Sequence, residues 1–155
     1  MTLSALFAAL YLGLTGCETT SAPTPTALPV REGDLSVIVN VRNLRCCDGV
    51  LRLAVYHTPA SWLREDQMLR GRIGFVLAEE QVIEVHGLPP GRYAIAVFQD
   101  LNGNKKLDRS FGIFPREPYA FSSDAGRYGP PGFEAAAISL TEDTAVVLDL
   151  VDRTR

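Results

Sequence analysis

The sequence has few residues that could carry metal or nucleophilic chemistry. It contains three cysteines and two histidines in 155 residues, which leaves little material for a transition-metal site. No serine lies in a nucleophile-elbow pattern, and no glycine-rich phosphate loop occurs. The formal net charge of −3 provides no broad basic field for a nucleic-acid backbone. We therefore expect neither an enzyme nor a nucleic-acid-binding protein.

The first 16 residues are typical of a bacterial lipoprotein signal peptide. The apolar run from Thr2 to Leu14 is too short to span a bilayer but has the length of a signal h-region. It leads into Leu14-Thr15-Gly16-Cys17, which resembles a lipobox, so Cys17 is the predicted site of lipidation with palmitate. No Lys or Arg precedes the run, and the alternative is an ordinary secretory leader in which Cys17 is incidental.

This leader predicts a cell-envelope protein that is held to the membrane by its N-terminal lipid and faces the periplasm. Glu18 follows the cysteine, which favours the outer membrane. Residues 17–33 are rich in Pro, Thr and Ser and read as an extended tether. We expect a single folded domain over residues 34–155.

The domain shows the period-two alternation of half-buried strands. Apolar residues alternate over 35–41 and 51–55, and Asp48-Gly49 between them predicts a hairpin. Further strands are predicted over 73–77, 81–86, 92–98, 135–140 and 145–151. These segments predict an all-β protein, a single antiparallel β-sandwich of the immunoglobulin or prealbumin kind with about seven strands.

Two connections carry their own signals. The segment 58–69 has Pro59 placed for a first helical turn, so one short helix or a covering loop is expected. Leu88-Pro89-Pro90-Gly91 is typical of a type II turn, in which Gly91 would supply the positive φ.

One stretch places oxygen-bearing side chains at alternate positions, directly after a predicted strand. Asp100, Asn102, Asn104, the backbone carbonyl of Lys106, and Asp108 fall at the first, third, fifth, seventh and ninth positions of an EF-hand-like loop. Calcium needs six to eight oxygen ligands, which such spacing supplies. We predict a structural calcium site here.

Two departures weaken the predicted ion site. Lys105 stands at the sixth position, where glycine is usual, and Phe111 stands at the twelfth, where a bidentate glutamate would complete the shell. A missing carboxylate could come from Glu117, Asp124 or Glu134. With two carboxylates in the loop, the expected dissociation constant is on the order of 0.1 to 1 mM. The alternative is a long turn whose Asp and Asn side chains cap their own backbone.

The segment after the loop is rich in aromatic residues without periodicity. We expect its aromatic side chains, Phe114, Tyr119 and Phe121 among them, to form a satellite core that pins the segment. The alternative is a sugar- or peptide-binding surface formed by Phe114, Tyr119 and Phe121, if their rings are exposed around a cleft.

Cys46 and Cys47 are adjacent, so their α-carbons are about 3.8 Å apart, less than a disulfide usually spans. A strained vicinal disulfide, an intermolecular bridge and two tolerated free thiols all remain open.

The loop and its flanks together resemble the bacterial domain of unknown function 2141 family. The motifs are Leu88-Pro89-Pro90-Gly91-Arg92-Tyr93, the stretch Gln99-Asp100-Leu101-Asn102-Gly103-Asn104 with Asp108, Phe111-Gly112-Ile113-Phe114-Pro115, and Tyr128-Gly129-Pro130-Pro131-Gly132. Gln99 stands where the family suggests histidine, and Lys105 where it suggests glycine. The resemblance implies an exported, sandwich-like domain without an assigned activity.

Overall fold

The computed structural model describes residues 35–110, 114–124 and 129–153, with the side chains of Phe114 and Asp124 excepted. The predicted signal peptide (1–16) and tether (17–33), including Cys17, lie outside the described residues.

The described part of the chain is mostly β-structure. Its strands are β1 (Leu35–Arg42), β2 (Val50–Tyr56), β3 (Arg70–Phe75), β4 (Gln81–Leu88), β5 (Gly91–Asp100), β6 (Arg109–Ser110), β7 (Phe114–Pro115), β8 (Tyr119–Phe121), β9 (Ile138–Leu140) and β10 (Thr144–Asp149). Among the residues described, the single α-helical turn is α1 (Phe133–Ala136), and 3-10 turns occupy Glu65–Gln67 and Ser122–Asp124. Every strand predicted before β9 has its counterpart here, whereas the predicted strand over 135–140 is shortened by α1. Within the described ranges, no helix is long and apolar enough to cross a membrane.

Two principal sheets share one core. The first has the order β10-β1-β4, and the second has the order β3-β2-β5-β8, with β9 also paired to β5. Val37, Val39 and Val41 from the first sheet and Leu53 and Val55 from the second belong to one buried hydrophobic cluster. The alternation read from these strands therefore predicted the buried face correctly. The strands β6 and β7, each two residues long, form a separate two-stranded sheet.

The expected purely antiparallel pairing is wrong at one edge. β1 pairs with β10 in parallel, with Val39 opposite Val146 and Val41 opposite Leu148. All the other strand pairs are antiparallel among the described residues. Strand periodicity specifies which face of a strand is buried but not the direction of its partner.

The predicted hairpin between the first two strands is also wrong. β1 and β2 belong to different sheets, so the connection between them crosses from one sheet to the other. The turn in this connection spans residues 45–48, in which the N–H of Asp48 donates to the carbonyl of Arg45 at 3.4 Å, and Gly49 follows it at φ +63°. A β-carbon at Gly49 would lie 2.3 Å from the carbonyl oxygen of Asp100, so only glycine fits this approach to the end of β5.

The two other predicted connections differ in outcome. Segment 58–69 is a covering loop that contains one 3-10 turn, Glu65–Gln67. Of the two expected forms, a short helix and a covering loop, the covering loop is the one observed. Gly91 begins β5 outside the left-handed region, so the assignment of a positive φ to Gly91 is wrong. The positive φ of +74° nearby belongs to Gly87, inside β4, where the pairing with β1 shifts register.

Candidate functional site

The first residue of the predicted ion loop, Asp100, is the last residue of strand β5. This strand is the longest described and pairs with β2 on one side and β8 on the other. Asp100 ends the strand with no solvent-exposed surface. The loop that follows is therefore anchored at a fixed, buried carboxylate.

The Asp100 carboxylate is bound on both oxygens. Oδ1 accepts the N–H of Gly103 at 2.8 Å, and Oδ2 accepts the N–H of Lys105 at 2.9 Å and Nε of Arg52 at 2.7 Å. Burial by itself raises the pKa of this carboxyl, but the Arg52 guanidinium and the N–H groups of Lys105 and Gly103 bring the net pKa of Asp100 below its ordinary value. Asp100 is thus held as the carboxylate.

The other predicted side-chain ligands converge on Asp108. Nδ2 of Asn102 donates to Oδ2 of Asp108 at 2.6 Å, and Nδ2 of Asn104 donates to its Oδ1 at 2.9 Å. The amide oxygens of the two asparagines accept backbone N–H groups two residues ahead, on Asn104 at 3.0 Å and on Lys106 at 2.8 Å. The predicted spacing therefore brings Asn102, Asn104 and Asp108 together, with Lys106 at the exposed tip.

Lys105 takes the backbone conformation that glycine usually supplies at the sixth position. Its φ is +69°, in the left-handed region that costs an L-residue roughly 1 to 2 kcal/mol. This conformation turns the N–H of Lys105 back onto Asp100. Lys105 thus makes the turn that glycine usually makes at this position of such a loop, at a cost in backbone strain.

Glu117 closes the loop from outside. Its side chain is 4% exposed, Oε1 accepts the N–H of Leu101 at 2.9 Å, and Oε2 accepts the N–H of Asp108 at 3.0 Å. The N–H of Arg116 also donates to the carbonyl of Asp108 at 2.8 Å. The Glu117 carboxylate therefore joins the two ends of the loop by accepting a backbone N–H group from each of them.

Glu117 was one of three candidates for the missing carboxylate. Another, Glu134, forms an ion pair with Arg92 on α1 and β5, away from the loop. The side chain of Asp124 lies outside the described residues. Of the two candidates whose side chains are described, Glu117 is the one beside the loop, and its oxygens are taken by backbone donors.

The donor chemistry of the loop fits calcium better than a transition metal. Across the described ranges, no three His, Cys, Asp or Glu side chains come together as a metal site. The predicted set instead combines two carboxylates with amide and backbone carbonyl oxygens, which are ligands for a hard cation. The positive charges of Arg52, Lys105 and Lys106 lie on or beside the same loop and oppose a cation there.

Two of the three aromatic residues considered for a ligand surface, Tyr119 and Phe121, lie in the core. Tyr119 is 1% exposed and Phe121 is 4% exposed, and their ring centroids are 5.7 Å apart. Trp62 from the covering loop packs on Phe121 at 5.7 Å and donates from Nε1 to the carbonyl of Pro131 at 2.8 Å. These two rings therefore belong to a satellite core, as expected, because they bury apolar area between strand and loop. The side chain of Phe114 lies outside the described residues.

Two contact residues of the loop region were missed from the sequence. Arg52 alternates with buried residues along β2 and looks like any outward-facing strand residue. Gln99 was noted only as a departure from the family pattern, yet it is fully buried and hydrogen-bonded to the turn before β2. Since 48 residues separate Arg52 from Asp100, no local spacing signals their contact.

Comparison with known proteins gives a family but no activity. The model of the family described as "Uncharacterized protein conserved in bacteria (DUF2141)" matches residues 39–147, which include the whole Asp100–Asp108 loop and Glu117. No curated protein and no solved structure matches the chain.

Proposed function

The chain belongs to the DUF2141 family, and we propose that it is a membrane-anchored lipoprotein of the bacterial cell envelope whose β-sandwich domain is stabilised by a low-affinity calcium loop. Its role would be non-enzymatic, in binding or in organisation of the envelope. The sandwich is supported by the single cluster of buried residues that both principal sheets supply.

One observation carries the calcium proposal. The side chains of Asn102 and Asn104 meet both oxygens of Asp108, while the N–H of Lys105 returns to Asp100. The loop therefore turns alternate side chains toward one another and has a left-handed residue at its sixth position, as a calcium loop does. Rotation of the two amides would present their oxygens, with those of Asp108, to a hard cation.

The side-chain oxygens of Asp100, Asn102, Asn104 and Asp108 and the carbonyl of Lys106 would hold the ion. Calcium would supply positive charge between two carboxylates and order the connection after β5. Because Arg52 already neutralises Asp100, and Lys105 and Lys106 add positive charge, the affinity would be weak, with a dissociation constant on the order of 1 mM.

Anchoring of the protein is supported by the leader alone. The apolar run, the Leu14-Thr15-Gly16-Cys17 sequence and the proline-rich tether fit a lipid-anchored domain that faces the periplasm, with Glu18 favouring the outer membrane.

A second candidate is a loop that needs no ion. The hydrogen bonds of Asn102 and Asn104 to backbone N–H groups two residues ahead are those of self-capping Asx turns, and Glu117 closes the loop without metal. The two candidates differ in their response to calcium, which an experiment can measure.

The test is calcium titration into the chelator-treated chain with Cys17→Ser, followed by calorimetry and by melting temperature. At 10 mM calcium and a dissociation constant of about 1 mM, binding adds about 1.4 kcal/mol, or roughly 5 °C in Tm. Magnesium at the same concentration serves as the ionic-strength control.

Two carboxylate variants complete the test. Asp108→Asn should abolish the calcium response, whereas Asp149→Asn, at an exposed position of β10, should retain it. A parent chain that gives no saturable heat and melts at one temperature in calcium and magnesium would leave the self-capped turn as the correct description.

A further inference from the structure

The turn between β1 and β2 carries two thiols side by side. Cys46 and Cys47 are both exposed and both free, and their Sγ atoms are 2.6 Å apart. An S–S bond is about 2.05 Å long, so closing the bond requires an approach of about 0.5 Å. The next polar contacts of the two sulfurs are to the carbonyl of Leu77, at 3.8 and 4.0 Å.

A buried glutamine holds the backbone on both sides of this pair. Gln99 accepts the N–H of Arg45 at 2.8 Å on Oε1, and its Nε2 donates to the carbonyls of Arg45 at 2.7 Å and Asp48 at 2.6 Å. Gln99 has no exposed surface and lies in the central strand β5. The turn is therefore tied at the residues that flank the two cysteines.

The residues around this clamp restrict the turn further. Leu44 is fully buried and donates its N–H to the carbonyl of Glu79 at 3.0 Å. Cys47 itself has a φ of +63°, and Gly49 is packed against Asp100. The fold thus holds the two thiols next to each other while leaving them open to solvent.

We propose that Cys46 and Cys47 form a redox-active vicinal pair that closes to a disulfide by exchange with an external disulfide and reopens with an external thiol. One thiolate attacks the external disulfide, forms a mixed disulfide and releases one thiol. The neighbouring thiolate then attacks the mixed disulfide at the protein sulfur and releases the second thiol. Two protons and two electrons leave the pair, and the external disulfide is reduced to two thiols.

The closed form should be easily reduced. Disulfides usually span 4.4 to 6.8 Å between α-carbons, whereas adjacent α-carbons are about 3.8 Å apart. Strained and exposed disulfides are the labile ones. The pair is therefore suited to reversible exchange and not to holding the fold together.

The proposal does not depend on the calcium loop. Disulfide exchange uses Cys46 and Cys47 alone, and the calcium experiment uses no thiol chemistry, so either can fail while the other succeeds.

The test is reaction of the full chain with glutathione disulfide at mildly alkaline pH, followed by intact mass and by counting of free thiols. Cys17→Ser is used as the background, since it leaves Cys46 and Cys47 as the two remaining cysteines. Cys46→Ser and Cys47→Ser in this background are the controls, and both sites are exposed, so the fold should tolerate the substitutions.

The background chain should lose two hydrogens and both reactive thiols together, and dithiothreitol should restore them. Each single variant should instead keep one glutathione. Because the second thiol displaces glutathione internally, the adduct should be about tenfold less abundant in the background chain than in either variant. Accumulation of glutathione adducts on the background chain to the level seen in the variants, or disulfide-linked dimers in place of the internal product, would overturn the proposal.

Discussion

Arg52 and Asp100 form an ion pair between two neighbouring strands, with Nε of Arg52 2.7 Å from Oδ2 of Asp100. In the register of β2 and β5, Asp100 lies opposite Val50, so the pair is diagonal across the ladder. Asp100 is fully buried, and the Arg52 side chain is 19% exposed. The first carboxylate of the loop therefore already has a cationic partner supplied by the fold.

Replacement of Arg52 should lower the free energy of unfolding but raise the affinity for calcium. Arg52→Met leaves Asp100 buried without its charge partner, so the free energy of unfolding without calcium should fall by on the order of 3 kcal/mol. The same change removes a competing positive charge, so calcium should bind roughly tenfold more tightly. Urea unfolding and calorimetry measure the two effects.

Arg42→Met is the matched control for the Arg52 prediction. Arg42 lies 3.9 Å from Glu80 and both side chains are well exposed, so stability should change by less than about 0.5 kcal/mol. Unchanged or weaker calcium binding in Arg52→Met would contradict the calcium proposal for this loop.

Replacement by glycine should change the free energy of unfolding in opposite directions at the two adjacent lysines of the loop. Lys105 has a φ of +69°, so Lys105→Gly relieves strain and should raise the free energy of unfolding by about 0.5 to 1 kcal/mol. Lys106 does not have a positive φ, so Lys106→Gly should lower it by a similar amount through the greater freedom of the unfolded chain. Chemical denaturation of both variants checks the pair. Equal effects of the same sign would show that the backbone conformation of Lys105 carries no strain.

The Asp100 carboxylate should make stability depend on pH in the acid range. Its folded pKa lies below the ordinary value, so the stabilisation is complete above the unfolded pKa of about 3.9 and is lost as pH falls through the folded pKa. Asp100→Asn lacks this group, so the stability difference between parent and variant should shrink below about pH 4. Urea unfolding from pH 7 to pH 3 measures this difference, and a difference constant over that range would contradict the expected pKa shift.

Two phenylalanines distinguish core from surface. Phe121 is 4% exposed and packs against Trp62 and Tyr119, so Phe121→Ala should lower the free energy of unfolding by about 3 to 5 kcal/mol. Phe75 is 76% exposed on the edge strand β3, so Phe75→Ala should cost less than about 0.5 kcal/mol. Thermal and urea unfolding of the two variants test the assignment. A Phe121→Ala chain as stable as the parent would contradict burial of this ring in the core and would favour a ligand-binding role for it.

Sequence reasoning succeeded where the signal is local. Alternation of apolar residues predicted β1, β2 and β10, because burial on one face imposes a period of two. The spacing of Asp100, Asn102, Asn104 and Asp108 predicted side chains that come together, because the turn of such a loop is built from neighbours in sequence.

The contacts that sequence reasoning missed are those between distant residues. The parallel pairing of β1 with β10 joins positions more than 100 residues apart, and the Gln99 contact with Arg45 joins positions 54 apart. Asp48-Gly49 was read as the turn of a hairpin, but the sheet to which β2 belongs depends on its distant partners β3 and β5. Burial of Tyr119 and Phe121 in a satellite core was expected, but the segment has no periodicity from which Trp62 could be identified as the packing partner of Phe121.

The direction of β1 determines which end of this strand would lie next to the proposed tether. The strand begins where Ser36 binds Asp143 and, as eight extended residues, spans about 23 Å. Its far end leads into the Cys46-Cys47 turn, and Gln99 ties that turn to the start of the ion loop. If the chain is anchored at Cys17 as proposed, the tether would lead into the start of β1, so the Cys46-Cys47 turn and the ion loop would lie at the opposite end of that strand from the tether.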